Sequence, residues 1–322
     1  MRAIETERLT KDYAVGFWRP RPYRALDSLS LQVDANEVFG FLGPNGAGKT
    51  TTLKLLTELI YPTSGRISLL GKPPSHPDVR RRVGFLPEAP YFYDYLSAEE
   101  LLTYFAGLFG LRGPERNRRV SSLLDKVGIA GERRLPLRKF SKGMLQRVGL
   151  AQALINEPEL VFLDEPMSGL DPLGRRDVRA LILELRDRGC TVLFSSHILS
   201  DAEALCSRVA IVVGGQMVTS GRLSEILAFE VSGWELVMAD LQPAALEALG
   251  SAVRKVTRIS EGRYTVEVAP EAEPERIVGE LRSKGGRFVS LNPVRTTLED
   301  YFVQQVTARK SAPPAGRAMR EG

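Results

Sequence analysis

The run Gly43-Pro44-Asn45-Gly46-Ala47-Gly48-Lys49-Thr50-Thr51 has the residue types and spacing of G-x-x-x-x-G-K-[ST], a loop that cradles phosphate. Glycines let backbone N–H groups turn inward around phosphate oxygens with no Cβ in the way. Lys49 brings a point charge to the outer phosphates, and Thr50 offers a hydroxyl to Mg²⁺. The helix expected to begin near Gly48 aims its positive end at the same anion. Further along, Leu160-Val161-Phe162-Leu163-Asp164-Glu165-Pro166 reads as an apolar strand that ends in two carboxylates. Ligands of open α/β sheets sit beyond the carboxyl ends of the strands. Successive side chains on a strand diverge, so the two acids are free to do different jobs. Asp164 is expected to hold Mg²⁺ through water, and Glu165 to orient and deprotonate an attacking water. A second helix opens at Phe140-Ser141-Lys142-Gly143-Met144-Leu145-Gln146-Arg147, with Ser141 as N-cap and Gly143 leaving the approach open. It is a second helix start suited to an anion, although N-caps of this kind are common.

The elements that must position these groups follow from the hydrophobic pattern. Glu37–Leu42 reads as a buried strand before the phosphate loop and Thr51–Ile60 as a helix after it. Ile4–Tyr13 and Ala25–Val33 read as strands of an antiparallel edge sheet. Between them Ala14–Arg24 holds Phe17, Trp18, Pro20, Pro22 and Tyr23 among arginines. Arg66–Leu70 and Val83–Leu86 are short strands, and Ser97–Gly110, Pro114–Val127 and Ser141–Asn156 are helical. Strands and helices then alternate through Leu160–Leu163, Leu173–Arg188, Thr191–Ser195, Leu199–Cys206 and Arg208–Val213, the pattern of a parallel sheet with crossover helices. Beyond Phe229–Gly233 the order changes to β-α-β-β-α-β, which suggests a ferredoxin-like unit, followed by a helix over Thr296–Val306. Residues 307–322 are rich in Arg, Pro and Ala with few large apolar residues, the composition of a disordered tail.

Length and composition narrow the function classes. A chain of 322 residues suits two domains with a real core. Arg2, Glu5, Glu7 and Arg8 leave no apolar stretch for a secretory leader. No apolar run approaches the roughly 18–20 residues of a membrane span, so attachment to a membrane is expected to need a partner. Cys190 and Cys206 are isolated, as suits core thiols in a reducing cytoplasm. The net charge is +5, with basic residues concentrated over Arg112–Lys139. That stretch reads as a solvated helical face ahead of a nucleic-acid patch or a surface near anionic lipid.

Taken together, the motifs resemble the nucleotide-binding subunit of ATP-binding cassette (ABC) transporters, over about Met1–Phe229. Ser141-Lys142-Gly143-Met144-Leu145-Gln146 is similar to the family's signature sequence, usually Ser-Gly-Gly-Gln, with Lys142 in place of a Gly. This variant looks like the branch serving ABC-2-type (drug and antibiotic-like) exporters. Ser168-Gly169-Leu170-Asp171 matches the D-loop, and Gly84-Phe85-Leu86-Pro87-Glu88 occupies the Q-loop, with Glu88 where most members have Gln. Either side chain there reaches the Mg²⁺–water shell. His197 falls at the switch histidine, and Tyr13 at the aromatic that stacks on adenine, with Phe17 and Trp18 as competitors for that role. The other histidine, His76, reads as loop surface.

The resemblance implies an α/β fold: a P-loop ABC ATPase domain over 1–229, with a mixed sheet core, an antiparallel β subdomain and a helical subdomain at about 89–156. A small α+β ferredoxin-like domain over 230–306 and the tail complete the chain. It implies ATP and Mg²⁺ as cofactors, with the metal at Thr50, Glu88 and Asp164. Catalysis falls to Glu165, His197 and Lys49. The nucleotide site takes in Tyr13, Gly43 through Thr51, Glu88, Ser141, Gly143 and Asp171, the last communicating across an interface. The implied assembly is a head-to-tail dimer, each ATP lying between the Lys49 loop of one subunit and the Ser141 loop of the other. An integral membrane permease subunit would hold it at the cytoplasmic face, and no specific nucleic acid is expected. Leu101, Leu102, Tyr104, Phe105, Leu108 and Phe109 exceed one buried stripe, so Ser97–Gly110 is either a docking surface for that permease or wholly core. The rival reading is a soluble regulatory ABC ATPase of translation or repair. A single phosphate loop and the short stretch between Glu88 and Ser141 speak against it.

Overall fold

Phe39 and Phe41 alternate with Val38, Gly40 and Leu42, and all five are buried, so this strand must be covered on both faces. It is the fourth element of a computed structural model that describes residues 1–16, 18, 20–227, 231–247, 253–269, 271, 273–295 and 297–303. The chain divides into two compact units, Met1–Leu223 and Ser224–Gly322.

The first unit runs β1 (Arg2–Val15), β2 (Arg21–Leu29), β3 (Gln32–Asp34), β4 (Val38–Leu42), α1 (Lys49–Leu56), β5 (Ser64–Leu69), α2 (Pro77–Arg82) and β6 (Val83–Leu86). It continues through α3 (Ala98–Leu108), α4 (Gly113–Lys126), α5 (Lys142–Ala153), β7 (Leu160–Asp164), α6 (Pro172–Asp187), β8 (Thr191–Ser196), α7 (Leu199–Leu205), β9 (Arg208–Val213) and β10 (Gln216–Arg222). β10-β9-β4-β8-β7-β6 form one sheet, parallel except for the β10–β9 pair. β8 therefore lies between β4 and β7, which brings the phosphate loop, Glu165 and His197 to one end of three adjacent strands. β2-β1-β3, with β5 also on β1, form an antiparallel sheet. Ile4, Leu9 and Leu26 from this sheet share a core with Phe39, Phe41, Phe162 and Leu193 from the other.

The helical layer contains α3, α4 and α5. Ser97 closes a capping box with Glu100 at the start of α3, a device worth about 1 kcal/mol. Leu101, Leu102 and Ala106 are buried and Phe105 partly so, while Tyr104, Leu108 and Phe109 are exposed. The six candidates thus split between core and surface.

Three local readings are revised. The two strands reach further than Tyr13 and Ala25, because the arms of Ala14–Arg24 extend the β1–β2 hairpin, with Tyr13 opposite Tyr23, Ala14 opposite Pro22 and Val15 opposite Arg21. Ala25–Val33 is two strands, since β2 ends at Leu29 and β3 begins at Gln32, with Ser30 and Leu31 between them. His76 is more than loop surface: its ring accepts the Asp78 N–H at 3.2 Å and caps α2.

The second unit runs α8 (Leu223–Ile226, which straddles the boundary), β11 (Val231–Ala239), α9 (Pro243–Glu247), β12 (Val253–Ser260), β13 (Arg263–Val268), α10 (Pro274–Ser283) and β14 (Arg287–Arg295). Its sheet is antiparallel throughout, ordered β12-β13-β11-β14, and its connectivity is β-α-β-β-α-β. Leu236, Met238, Val266, Ile277 and Leu281 form its core. Phe17, Phe229, part of the helix expected over Thr296–Val306 and all of 307–322 lie outside the described residues.

Candidate functional site

The phosphate loop leaves β4 at Gly43 and enters α1 through Gly48, whose φ of 101° is left-handed. A Cβ on Gly48 would meet the Ala25 carbonyl at 2.7 Å, so both conformation and space require glycine. Gly48 offers no side-chain cap, and the first N–H groups of a helix have no partner within it. Around Gly46, at φ 79°, a Cβ would meet nothing within 4 Å. The loop is thus an open concavity walled by backbone donors.

Lys49 is buried, its Nζ donating to the Gly43 carbonyl at 2.7 Å and lying 3.2 Å from Glu165 Oε1. Glu165 Oε2 lies 2.9 Å from His197 Nδ1, so each carboxylate oxygen faces a nitrogen. Glu165 sits at φ 48°, a costly region for a side-chain-bearing residue and one found at functional turns. Two contacts hold it there. The Glu165 N–H donates to Ser195 Oγ at 3.0 Å, and the buried Gln146 amide donates to the Glu165 and Pro166 carbonyls at 3.3 Å each.

Ser195 serves both acids. Its hydroxyl donates to Asp164 Oδ1 at 2.5 Å, as the Asp164–Ser195 register of β7 and β8 requires. Asp164 is fully buried, and its Oδ2 has no hydrogen-bond partner. Burial pushes its carboxyl above the ordinary range. Hydrogen bonds from Ser195 and Thr50 pull it back, and the nearby charges of Glu88 and Glu165 raise it further. Buried, negatively flanked and carrying an orphan oxygen, Asp164 fits a divalent cation, as does the Thr50 hydroxyl beside it. Among the described residues no group of three or more His, Cys, Asp or Glu forms a metal cage. Mg²⁺ typically takes one or two protein carboxylates and completes its shell with water and phosphate oxygens.

Tyr13, Pro44 through Thr51, Glu88 and Glu165 line one cleft of about 410 Å³. His197 lines an adjoining cleft of about 130 Å³, and Glu165 belongs to both. Ser141, Gly143 and Asp171 line neither. The Ser141 hydroxyl caps α5 by accepting the Met144 N–H at 3.2 Å. Asp171 caps α6 by accepting the Gly174 N–H at 2.8 Å. The two loops adjoin, since a Cβ on Gly143 would lie 3.4 Å from the Gly169 carbonyl.

A groove of about 430 Å³ opens at the amino-terminal ends of β7 and β8, beside Arg119, Lys126, Leu154 and Cys190. Arg119 pairs with Glu157 at 2.9 Å and Lys126 with Glu184 at 2.8 Å, so these cations are already neutralised. Burial pushes the Cys190 thiol up to about 12, which leaves it protonated and unreactive. The buried Lys49 and Glu165 converge instead on the phosphate-loop cleft.

Sequence reasoning missed Tyr23, Ser195 and Gln146. Tyr23 also lines the phosphate-loop cleft. Gln146 lies within the signature stretch and Ser195 two residues before His197, which is the only signal the chain carries for either.

The chain matches the ABC transporter family over residues 26–168. It is 46% identical over 311 residues to an uncharacterised ABC transporter ATP-binding protein of Synechocystis sp., across 95% of this chain and 85% of that protein. It is 34% identical over 298 residues to a Nod factor export ATP-binding protein of Cupriavidus metallidurans, across 92% of this chain and 94% of that protein. The dimeric structure of a bacterial ABC transporter cassette superposes with a TM-score of 0.63 at 25% identity, across 68% of this chain and 98% of that one.

Proposed function

The chain belongs to the ABC transporter ATP-binding proteins, so it is the ATP-binding, ATP-hydrolysing subunit of a transporter, and from that premise we propose that it powers export through a separate membrane permease. Hydrolysis is proposed to occur in a head-to-tail dimer of cassettes. The observation that carries the catalytic part is the convergence of Lys49, Glu165 and the phosphate loop on one cleft, with Asp164 buried beside them.

The triphosphate lies along the loop, its oxygens taking the N–H groups at the start of α1. Lys49 neutralises charge as it develops on the outer phosphoryl group. Thr50, Asp164 and Glu88 would hold Mg²⁺, which supplies electrostatic stabilisation of the same charge. Glu165 orients a water and accepts its proton, while Ser195 and Gln146 fix the turn on which Glu165 sits. His197, bonded to Glu165, contacts the γ-phosphate. Tyr13 stacks on adenine.

Ser141 and Gly143 line no cleft with Lys49, which supports a role for them toward a second subunit's ATP. Asp171, at the start of α6, relays between the two subunits in this reading. The dimeric relative supports the arrangement, and the Nod factor export protein supports the direction.

Among the described residues no helix is long and apolar enough to cross a membrane. In this reading the permease is a separate chain that holds the cassette at the cytoplasmic face. Tyr91, Tyr93, Tyr95, Tyr104 and Leu108, all exposed and following the Q-loop in sequence, support a docking surface for the permease in this reading. Affinity capture of the tagged chain from gently solubilised native membranes, with and without ATP, tests this. A polytopic membrane protein in near-equal amount is the expected result. Ribosomal proteins or nucleic acid without any membrane protein would contradict it.

A further inference from the structure

The geometry points to Tyr23 as a second aromatic contact for the nucleobase, beside Tyr13, in the cleft that holds the phosphate loop. The inference rests on the nucleotide reading of that cleft and adds a residue at the end where the base must lie.

Tyr23 stands directly opposite Tyr13 in the β1–β2 hairpin. Side chains of directly opposed residues in an antiparallel pair project from the same face. Both tyrosines line the cleft together with Ala25 and the loop from Pro44 to Thr51. The register is irregular at Lys11 and Asp12: Lys11 faces Leu26 and Asp12 faces Arg24, which leaves Ala25 as an extra residue on β2. Bulges of this kind re-aim side chains and recur beside active sites. Here the bulge turns Tyr23 and Ala25 toward the phosphate loop.

An ion pair also crosses the hairpin at this point. Arg24 makes a bidentate pair with Asp12, at 2.8 and 3.1 Å, in the register step next to the tyrosines. The Lys11 ammonium lies 5.2 Å from the Tyr13 ring centroid and donates to the Tyr61 carbonyl at 2.7 Å, fixing that ring from one side. Among the described residues Tyr23 makes no comparable hydrogen bond or cation contact. It is 54% exposed, large and aromatic, on the wall of a cleft whose floor is built for polyphosphate. An exposed aromatic ring placed there matches the flat, apolar face of a base and has nothing to offer a phosphate.

The test compares two probes on the full-length chain: Mg·ATP and Mg·tripolyphosphate, which carries the phosphates without a base. Calorimetry is run on wild type, Tyr23→Ala, Tyr23→Phe and Lys49→Ala, with thermal unfolding of each as a check on folding. Tyr23→Ala is expected to bind ATP about 10-fold more weakly, the scale of losing one base–aromatic contact. It should bind tripolyphosphate as wild type does, and Tyr23→Phe should retain ATP binding. Unchanged ATP affinity in Tyr23→Ala would overturn the inference, as would an equal loss for both probes. Lys49→Ala should weaken both probes. If it weakens neither, the nucleotide reading of the cleft fails, and the role of Tyr23 fails with it.

Discussion

α1 and α5 both begin where an anion could be met, yet they are built in opposite ways. α1 starts from Gly48, which has no side chain to cap with, beside the buried Lys49 and the Asp164–Glu165 pair. α5 starts from Ser141, which is exposed and whose hydroxyl already accepts the Met144 N–H. The first has the buried Asp164 and Glu165, proposed as metal ligand and base, at the end of β7 in the same sheet. The second has none of these within the clefts that Glu165 lines. A helix start alone is therefore a weak indication of a site, and the groups on adjacent strands decide what it does. In the proposed mechanism α1 carries the chemistry, and α5 contributes only when it is brought to an ATP held elsewhere.

The sharpest way to break this contrast is Glu165→Gln. Turnover of ATP should fall at least about 100-fold, the scale of a lost general base, with ATP binding retained. Near-normal turnover in a steady-state phosphate-release assay would remove Glu165 from its role. Lys49→Ala comes next, because it removes a charged donor from the uncapped helix start. ATP binding should weaken by about 10- to 100-fold in a titration, within the range of charged hydrogen bonds. A milder outcome is expected at the capped start. Ser141→Ala should leave ATP binding by the single chain unchanged and cost about 1 kcal/mol of stability through the lost cap. Its turnover should fall only where two chains meet, so a binding defect in dilute monomer would blur the distinction between the helices.

The smallest effect concerns Asp164 and has an unusual sign. Burial raises its carboxyl in the folded chain, so the folded state holds that proton more tightly than the unfolded one. The strain is absent at pH below the unfolded value and appears as pH rises through the raised folded value. Asp164→Asn, which keeps an acceptor for Ser195, should therefore melt about 2 °C higher than wild type at pH 7 without nucleotide or metal. The gap should close on acidification. Scanning calorimetry across pH checks this, and a lower melting temperature at pH 7 would refute it.

The legibility of the site follows the same division between contiguous and through-space features. Gly43–Thr51 and Asp164-Glu165 could be read from the chain because each is one short run whose spacing carries its chemistry. Ser195 and Gln146 could not, because they act through a strand register and a helix contact that join residues about 20–30 positions apart in the chain. Tyr23 was hidden by Pro20 and Pro22, which argue against a strand. β2 tolerates Pro22 because it is an edge strand, where a missing donor costs little. β10, another edge strand, was not expected, since Gln216–Arg222 is only partly buried and shows no strong alternation. The alternation of strands and helices after Leu160 was clear because each strand there is almost wholly apolar and each crossover helix keeps one apolar stripe.

Light scattering on size-separated Glu165→Gln, with and without Mg·ATP, tests the central claim most directly. The account predicts a particle of twice the 35.6 kDa chain mass when ATP is present, and its loss when Ser141 is also changed to Arg. A chain that binds ATP yet keeps the mass of a monomer at every concentration would contradict it.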